Sequence, residues 1–343
     1  MGCRPPFGLV MLLTLLISDP LPAQTPGKDK GKPKSLSAIP GYKKHTMQGF
    51  TLLINNAVYE NNEDPKWKRQ PLDVLDLELG TVVRRLPDRA VKALQTLLIW
   101  VEWEDLTDPD LEKGAVAKYY GVMGNLALWS LGQNKHPLKA NNVEIINMKS
   151  LTREHQPGVK TERCVILHEM AHAVHHQVFG FNNKSVQNAY TQAMNRRLYD
   201  EAVDVYGRTL RPPYASRNPM EYFAEMSCAY LDKLHYYPFT VDDLKKHDPV
   251  GYRMMELTWG TRKMIDSALT AKSEKEANRK LEQARAQNAL NRSEDARRTL
   301  EMLIHTFPQS KAAVTARKWM ENWNGPGAPK TNGDSEKEDI GKK

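Results

Sequence analysis

Between Arg163 and Phe179 the chain reads RCVILHEMAHAVHHQVF, an apolar run at helical spacing that carries four histidines and one glutamate. Burying imidazoles beside a carboxylate is costly unless each finds a partner, so this run demands an explanation that an ordinary core helix does not. His168, Glu169 and His172 spell H-E-x-x-H. Four residues apart on an α-helix, the two imidazoles project from one face about one turn apart. Both ring nitrogens can then reach a single Zn²⁺ at about 2.0–2.1 Å. Glu169 is rotated to the side of that face, where it can reach a water held by the ion, act as general base and pass the proton to a leaving amine. His175 and His176 follow one turn later and read as surface residues or as polar support for the ligands.

Two histidines leave a tetrahedral ion short of a third protein ligand. No H-x-x-G-x-x-H extension follows, which disfavours a three-histidine site. The segment PMEYFAEMSCAYL, which restores helical periodicity after a proline-rich loop, offers Glu221 and Glu225 on one helix face. One of the two should ligate the ion; the other should accept a hydrogen bond from a ligand histidine and so fix its tautomer. Cys164 lies one turn before His168 and Cys228 two turns after Glu221. A disulfide between the two helices, a pair of buried thiols and metal ligation are all compatible with that placement.

HEMAH followed about fifty residues later by YASRNPMEYFAE resembles the catalytic domain of the anthrax lethal-factor type of gluzincin metallopeptidase. The resemblance is carried by the HExxH helix, by the Y-x-x-x-N-x-x-E spacing and by the aromatic E-Y-F-A-E run, and it touches about a third of the domain. It implies an α+β, zincin-like fold and a zinc-dependent peptidase. His168, His172 and Glu221 would be the zinc ligands, one ion per chain, with Glu169 as base. Glu225 would be the carboxylate behind a ligand histidine, and Tyr214 the phenol that donates to the oxyanion. By residue type alone Tyr206 competes with Tyr214, and the spacing to Glu221 favours Tyr214. In zincins a strand edge before the metal helix binds extended substrate by β-addition. Val143, Ile145 and Asn147, in NNVEIINMK, are the candidates for that edge, with an ordinary core strand as the other reading. The chain departs from the toxin type in being much shorter and in its helical C-terminal piece, so nothing here implies a toxin.

The rest of the chain organises around this signal. Residues 1–24 read as a secretory signal, with Arg4 before a short apolar run and small residues near Ala23. Residues 25–38 are rich in Lys, Pro, Gly and Ser and read as a flexible tether. The catalytic domain is expected over 39–265, with a β-type run at Phe50–Ile54 and helical pieces on either side of Pro87. From Asp266 the spacing becomes that of a helical hairpin resembling one tetratricopeptide-type unit (266–324), which must pack on a neighbour to bury its face. The tail from 325 to 343 is polar and expected to be disordered.

The net charge of +8 in 343 residues is spread among acidic residues. No basic run is interleaved with aromatics, which argues against a nucleic-acid partner. No later stretch is long and apolar enough to cross a bilayer. The expectation is therefore a secreted or periplasmic zinc endopeptidase whose partner is a peptide or protein substrate. A zinc-binding interaction module that cleaves nothing, or a zinc hydrolase of cell-wall peptides, are the alternatives.

Overall fold

The computed structural model describes residues 39–121, 135–159 and 163–323. The expected signal, tether and tail lie outside the described residues.

The chain opens on a hairpin in which β1 (Tyr42–Met47) and β2 (Phe50–Asn55) pair antiparallel. Gln48 and Gly49 form its turn, both at positive φ (52° and 82°), the twist that a two-residue hairpin requires. The Asn55 side chain accepts from Ala57 N and caps α1 (Asn56–Glu60). Next come α2 (Pro71–Arg85), opened by proline at its first position, and α3 (Asp88–Leu94), begun by Pro87. Three short strands follow, β3 (Leu98–Val101), β4 (Ala117–Tyr119) and β5 (Val143–Ile145). After α4 (Met148–Glu154), the histidine-rich helix α5 (Val165–Val174) ends in a π-helical turn over His175–Phe179. Then come α6 (Lys184–Asn195), a small hairpin of β6 (Ala202–Val203) and β7 (Thr209–Leu210), and a 3-10 turn over Tyr214–Ser216. The remaining helices are α7 (Pro219–Leu231), α8 (Val241–His247), α9 (Pro249–Trp259), α10 (Arg262–Ala289), α11 (Ser293–Thr306) and α12 (Lys311–Glu321). Among the described residues no helix is long and apolar enough to cross a membrane.

The fold is a mixed α/β arrangement on a five-stranded sheet of order β1-β2-β3-β5-β4. β2, β3 and β5 run parallel, and both outer strands are antiparallel to their neighbours. The period of two along each strand separates two faces. Phe50, Leu52, Ile54, Ile99, Val101, Val143 and Ile145 face the helices and join one apolar core with residues of α2, α3, α5 and α7. Trp100 and Glu144 stand on the opposite face, also buried.

This topology corrects the expected substrate edge. Val143 and Ile145 belong to β5, which is flanked on both sides by β3 and β4 and wholly buried. Asn147 is not in a strand at all: its side chain accepts from Ser150 N and caps α4. The outer strand on that side is β4, whose three residues carry too little alternation to be read from sequence.

The C-terminal piece holds three helices, a long α10 ahead of the pair α11 and α12. α10 begins at Arg262, and its Ala277, Leu281 and Ala284 form the third wall of a separate apolar cluster with Leu300, Leu303 and Phe307 of the α11 region and Ala313 of α12. The hairpin thus covers its face on α10. Polar groups hold α10 to α2: Arg84 Nη1 lies 2.6 Å from Glu276 Oε2, Lys280 Nζ lies 2.8 Å from Asp76, and Lys272 Nζ donates to the carbonyl of Leu86 at 2.7 Å.

Candidate metal centre

α5 and α7 pack against each other within the main core, and the sequence fixes where each begins and which way it faces. Asn218 supplies the cap of α7: its side-chain oxygen accepts from Met220 N and Glu221 N, both at 2.9 Å. Pro219 at the first helical position suits the missing intrahelical donor there, and Glu221 sits in the first turn, where the helix dipole favours a carboxylate. α5 is apolar around its histidines, with Ile166, Leu167, Met170 and Ala171 all buried, so the polar face has a single outlet.

At that outlet three atoms meet. His168 Nε2 and His172 Nε2 are 3.0 Å apart, and each is 3.1 Å from Glu221 Oε2. Ligand atoms around a tetrahedral ion at 2.0–2.1 Å stand about 3.3–3.4 Å apart, so the triangle is close to the size such an ion needs. The donor set fits as well. His168 Nδ1 is 2.7 Å from Glu225 Oε1, which places the ring proton on that nitrogen and turns the Nε2 lone pair towards the triangle. The Nε2 edge of His168, the Glu221 carboxylate and the second imidazole then converge on a point that no lysine or arginine among the described residues enters. Burial lowers the His168 pKa, but Glu221 and Glu225 outweigh it and hold it well above the usual histidine value, so a metal ion would take the place of a proton there. Burial likewise opposes the charge of Glu221, yet hydrogen bonds from His168 and His172 hold its carboxyl well below the ordinary range. His168, His172 and Glu221 could therefore hold a metal ion.

Glu169 stands beside the triangle. Desolvation in the cleft raises its pKa, the neighbouring Glu221 adds to the rise, and His168, His172 and the backbone of Tyr119 on β4 pull the other way. Tyr214, in the turn before α7, is 37% exposed, with its ring centroid 5.9 Å from that of His168. Burial, Glu221 and Glu169 push its pKa up to about 12, so the phenol stays protonated and able to donate. Tyr206 instead stands 61% exposed in the β6–β7 turn, under the Arg208 guanidinium. The structure thus brings together His168, His172, Glu169, Glu221, Glu225 and Tyr214, and leaves Val143, Ile145 and Asn147 in the sheet and its following cap.

The other two histidines of the run separate. His175 is neither at the surface nor bonded to a ligand: it is fully buried between Phe223 and Phe181, with ring centroids at 4.5 and 5.2 Å. Burial pushes its pKa down to about 4, so it packs as a neutral ring. His176 is half-buried, stacks on Phe181, and shares a 2.9 Å hydrogen bond with the Tyr119 hydroxyl, tying β4 to the end of α5. Cys164 and Cys228 are free thiols, and Cys228 Sγ donates to the Cys164 carbonyl at 3.5 Å.

Sequence reading missed Tyr236. Fully buried, its hydroxyl accepts from Ala215 N at 2.9 Å, next to Tyr214. Burial and the Glu225 carboxylate beside it hold its proton firmly. It links the carboxylate behind His168 to the turn that carries Tyr214, and nothing in HYYPF signals that role.

A second group, Asp105, Asp108 and Glu144, also brings its carboxylate oxygens within 4.8 Å of one another. It lies on the other face of the sheet and already contains a cation. Lys135, 3% exposed, has Nζ at 3.0 Å from Glu144 and 3.1 Å from Asp108, and it pairs with Asp105 as well. Lys118 lies 2.6 Å from Asp108, and Lys139 joins Glu144 to Glu102.

Comparison with protein families, characterised proteins and solved structures finds no match for this chain.

Proposed function

We propose that the chain is a zinc-dependent peptidase of the HExxH…E kind. One observation carries the reading: two imidazole nitrogens and one carboxylate oxygen converge within 3.0–3.1 Å of one another with no lysine or arginine of the described residues between them, beside a further carboxyl of raised pKa. A set of two imidazoles and one carboxylate suits zinc among the common divalent ions. His168, His172 and Glu221 would hold the ion, which when bound supplies Lewis-acid polarisation of the scissile carbonyl and a lowered pKa for water.

The chain's own groups do the rest. Glu169 takes the proton of the attacking water on its carboxylate and delivers it to the departing amine; a pKa raised by burial favours holding that proton in between. The Tyr214 hydroxyl donates to the developing oxyanion, where one such donor is worth about 3–4 kcal/mol. Glu225 holds the His168 ring in the tautomer that leaves Nε2 free. β4, the outer strand beside α5, is the natural place for an extended peptide to add by backbone pairing.

Metal analysis combined with cleavage of a peptide library, with and without chelator, tests this reading. One zinc per chain and chelator-sensitive cleavage support it. Stoichiometric zinc with no cleavage would favour the interaction module, and cleavage confined to murein peptides the cell-wall hydrolase. Export follows from the expected signal over residues 1–24 and is part of the same proposal.

A further inference from the structure

Arg217 sits between the two parts of the site that meet the substrate. Its backbone N–H donates to the Tyr214 carbonyl at 3.1 Å, and the next residue is the Asn218 cap of the helix that carries Glu221. Its guanidinium carbon lies 4.0 Å from the centre of the Tyr214 ring, the shortest such contact among the described residues. The side chain is exposed, and no carboxylate among the described residues pairs with it. A guanidinium that rests on a ring keeps its N–H edge free, and that edge matches a carboxylate through two parallel hydrogen bonds. Beside the Tyr214 phenol this guanidinium opposes the carboxylates of Glu221, Glu169 and Glu225. An anionic group of a peptide whose carbonyl lies at the phenol therefore finds the exposed Arg217 edge next to it.

We propose that Arg217 is a specificity-determining residue and that the preferred substrates carry a carboxylate close to the scissile bond. Extended chain spans about 3.3–3.6 Å per residue, so that carboxylate belongs within roughly three residues of the carbonyl held at Tyr214. The inference rests on the hydrolase reading above and names its substrate class. The carboxylate can come from an internal Asp or Glu or from a free C-terminus.

The test uses the zinc-loaded full chain and its Arg217→Gln and Arg217→Glu variants. The substrates are peptides of one length with Glu, Gln or Lys near the bond, each as free acid and as C-terminal amide. The wild type should cleave the acidic member about tenfold faster in kcat/KM than its neutral isostere, the factor expected of one good charge-assisted hydrogen-bonded pair. Arg217→Gln should bring that ratio near one, and Arg217→Glu should turn it towards the Lys peptide. A preference that follows the free acid and vanishes on amidation assigns the C-terminus as the source; one that survives amidation assigns the side chain. Peptide affinity in the Glu169→Gln background, read by fluorescence, should show the same order without turnover. Equal loss on every peptide in Arg217→Gln, or cleavage with no acidic preference in the wild type, overturns the inference and leaves the hydrolase reading intact. If the zinc-loaded wild type cleaves no peptide, both fall.

Discussion

Asp105, Asp108 and Glu144, like His168, His172 and Glu221, bring ligand-type atoms within 4.8 Å of one another, yet the two clusters stand in opposite electrostatic states. Around the first the chain has placed its own ammonium, Lys135, and has flanked it with Lys118 and Lys139. Around the second it has placed Glu225, Glu169 and a phenol, and no ammonium or guanidinium enters the triangle. Both are buried on opposite faces of one sheet, so burial does not separate them. The presence of a lysine ammonium does. A compact set of ligand-type side chains is a metal site only where the fold has left its charge unbalanced, and the acidic cluster is a buried ion-pair network that staples residues 135–145 to the sheet.

The sharpest test of that contrast is Glu169→Gln. It removes a proton carrier and touches neither triangle, so turnover should fall by about 10³- to 10⁴-fold while bound zinc stays at one per chain. Full activity in that variant would dismiss the mechanism. Lys135→Met tests the other side. Three buried carboxylates without their ammonium should destabilise the chain by about 3–5 kcal/mol in urea unfolding, with metal binding at His168, His172 and Glu221 intact. A variant as stable as the wild type would mean that Lys135 does not balance that cluster. Glu225→Gln, which weakens the hold on His168 Nδ1, should loosen zinc by about 10- to 100-fold in a competitive chelator titration. An unchanged affinity would remove Glu225 from the site.

The smallest effect is the part of the pH dependence that the acidic cluster contributes. Burial raises the pKa of Asp105 and Asp108, but their lysine partners win and hold both below the ordinary value; Lys113 and Lys118 hold Asp110 at about 2. A depressed carboxylate contributes stability above its unfolded pKa, near 3.9, and loses it as pH falls through the folded value. The unfolding midpoint should therefore drop between about pH 4 and pH 2, and Lys135→Met should drop less steeply. Identical slopes would mean that the network is not what acid dissolves.

The chain announces its histidine-rich helix because that information is local. Helical spacing alone sets His168 and His172 on one face, and the Asn218-Pro219 start sets Glu221 in the first turn of α7. What remained hidden depends on partners distant in sequence. β4 is three residues long and becomes a strand only because β5 offers it a ladder. Glu144 sits inside β5, where alternation turns it away from the apolar core and onto Lys135 and Lys139. Val143 and Ile145 were legible as a strand, but strand rank in a sheet is not written in the strand itself.

From sequence alone came the histidine pair, the neighbouring glutamate, the carboxylate helix and the helical character of the C-terminus, all consequences of periodicity and caps over a few turns. Tertiary structure alone decided that the nitrogens and the carboxylate oxygen meet within hydrogen-bonding distance, that His175 is a neutral core ring, that Tyr236 joins Glu225 to the Tyr214 turn, and that α10 completes the C-terminal helical unit. The reason is physical. Side-chain direction along a helix is fixed by backbone geometry, whereas the charge balance of a buried cluster depends on every element packed around it.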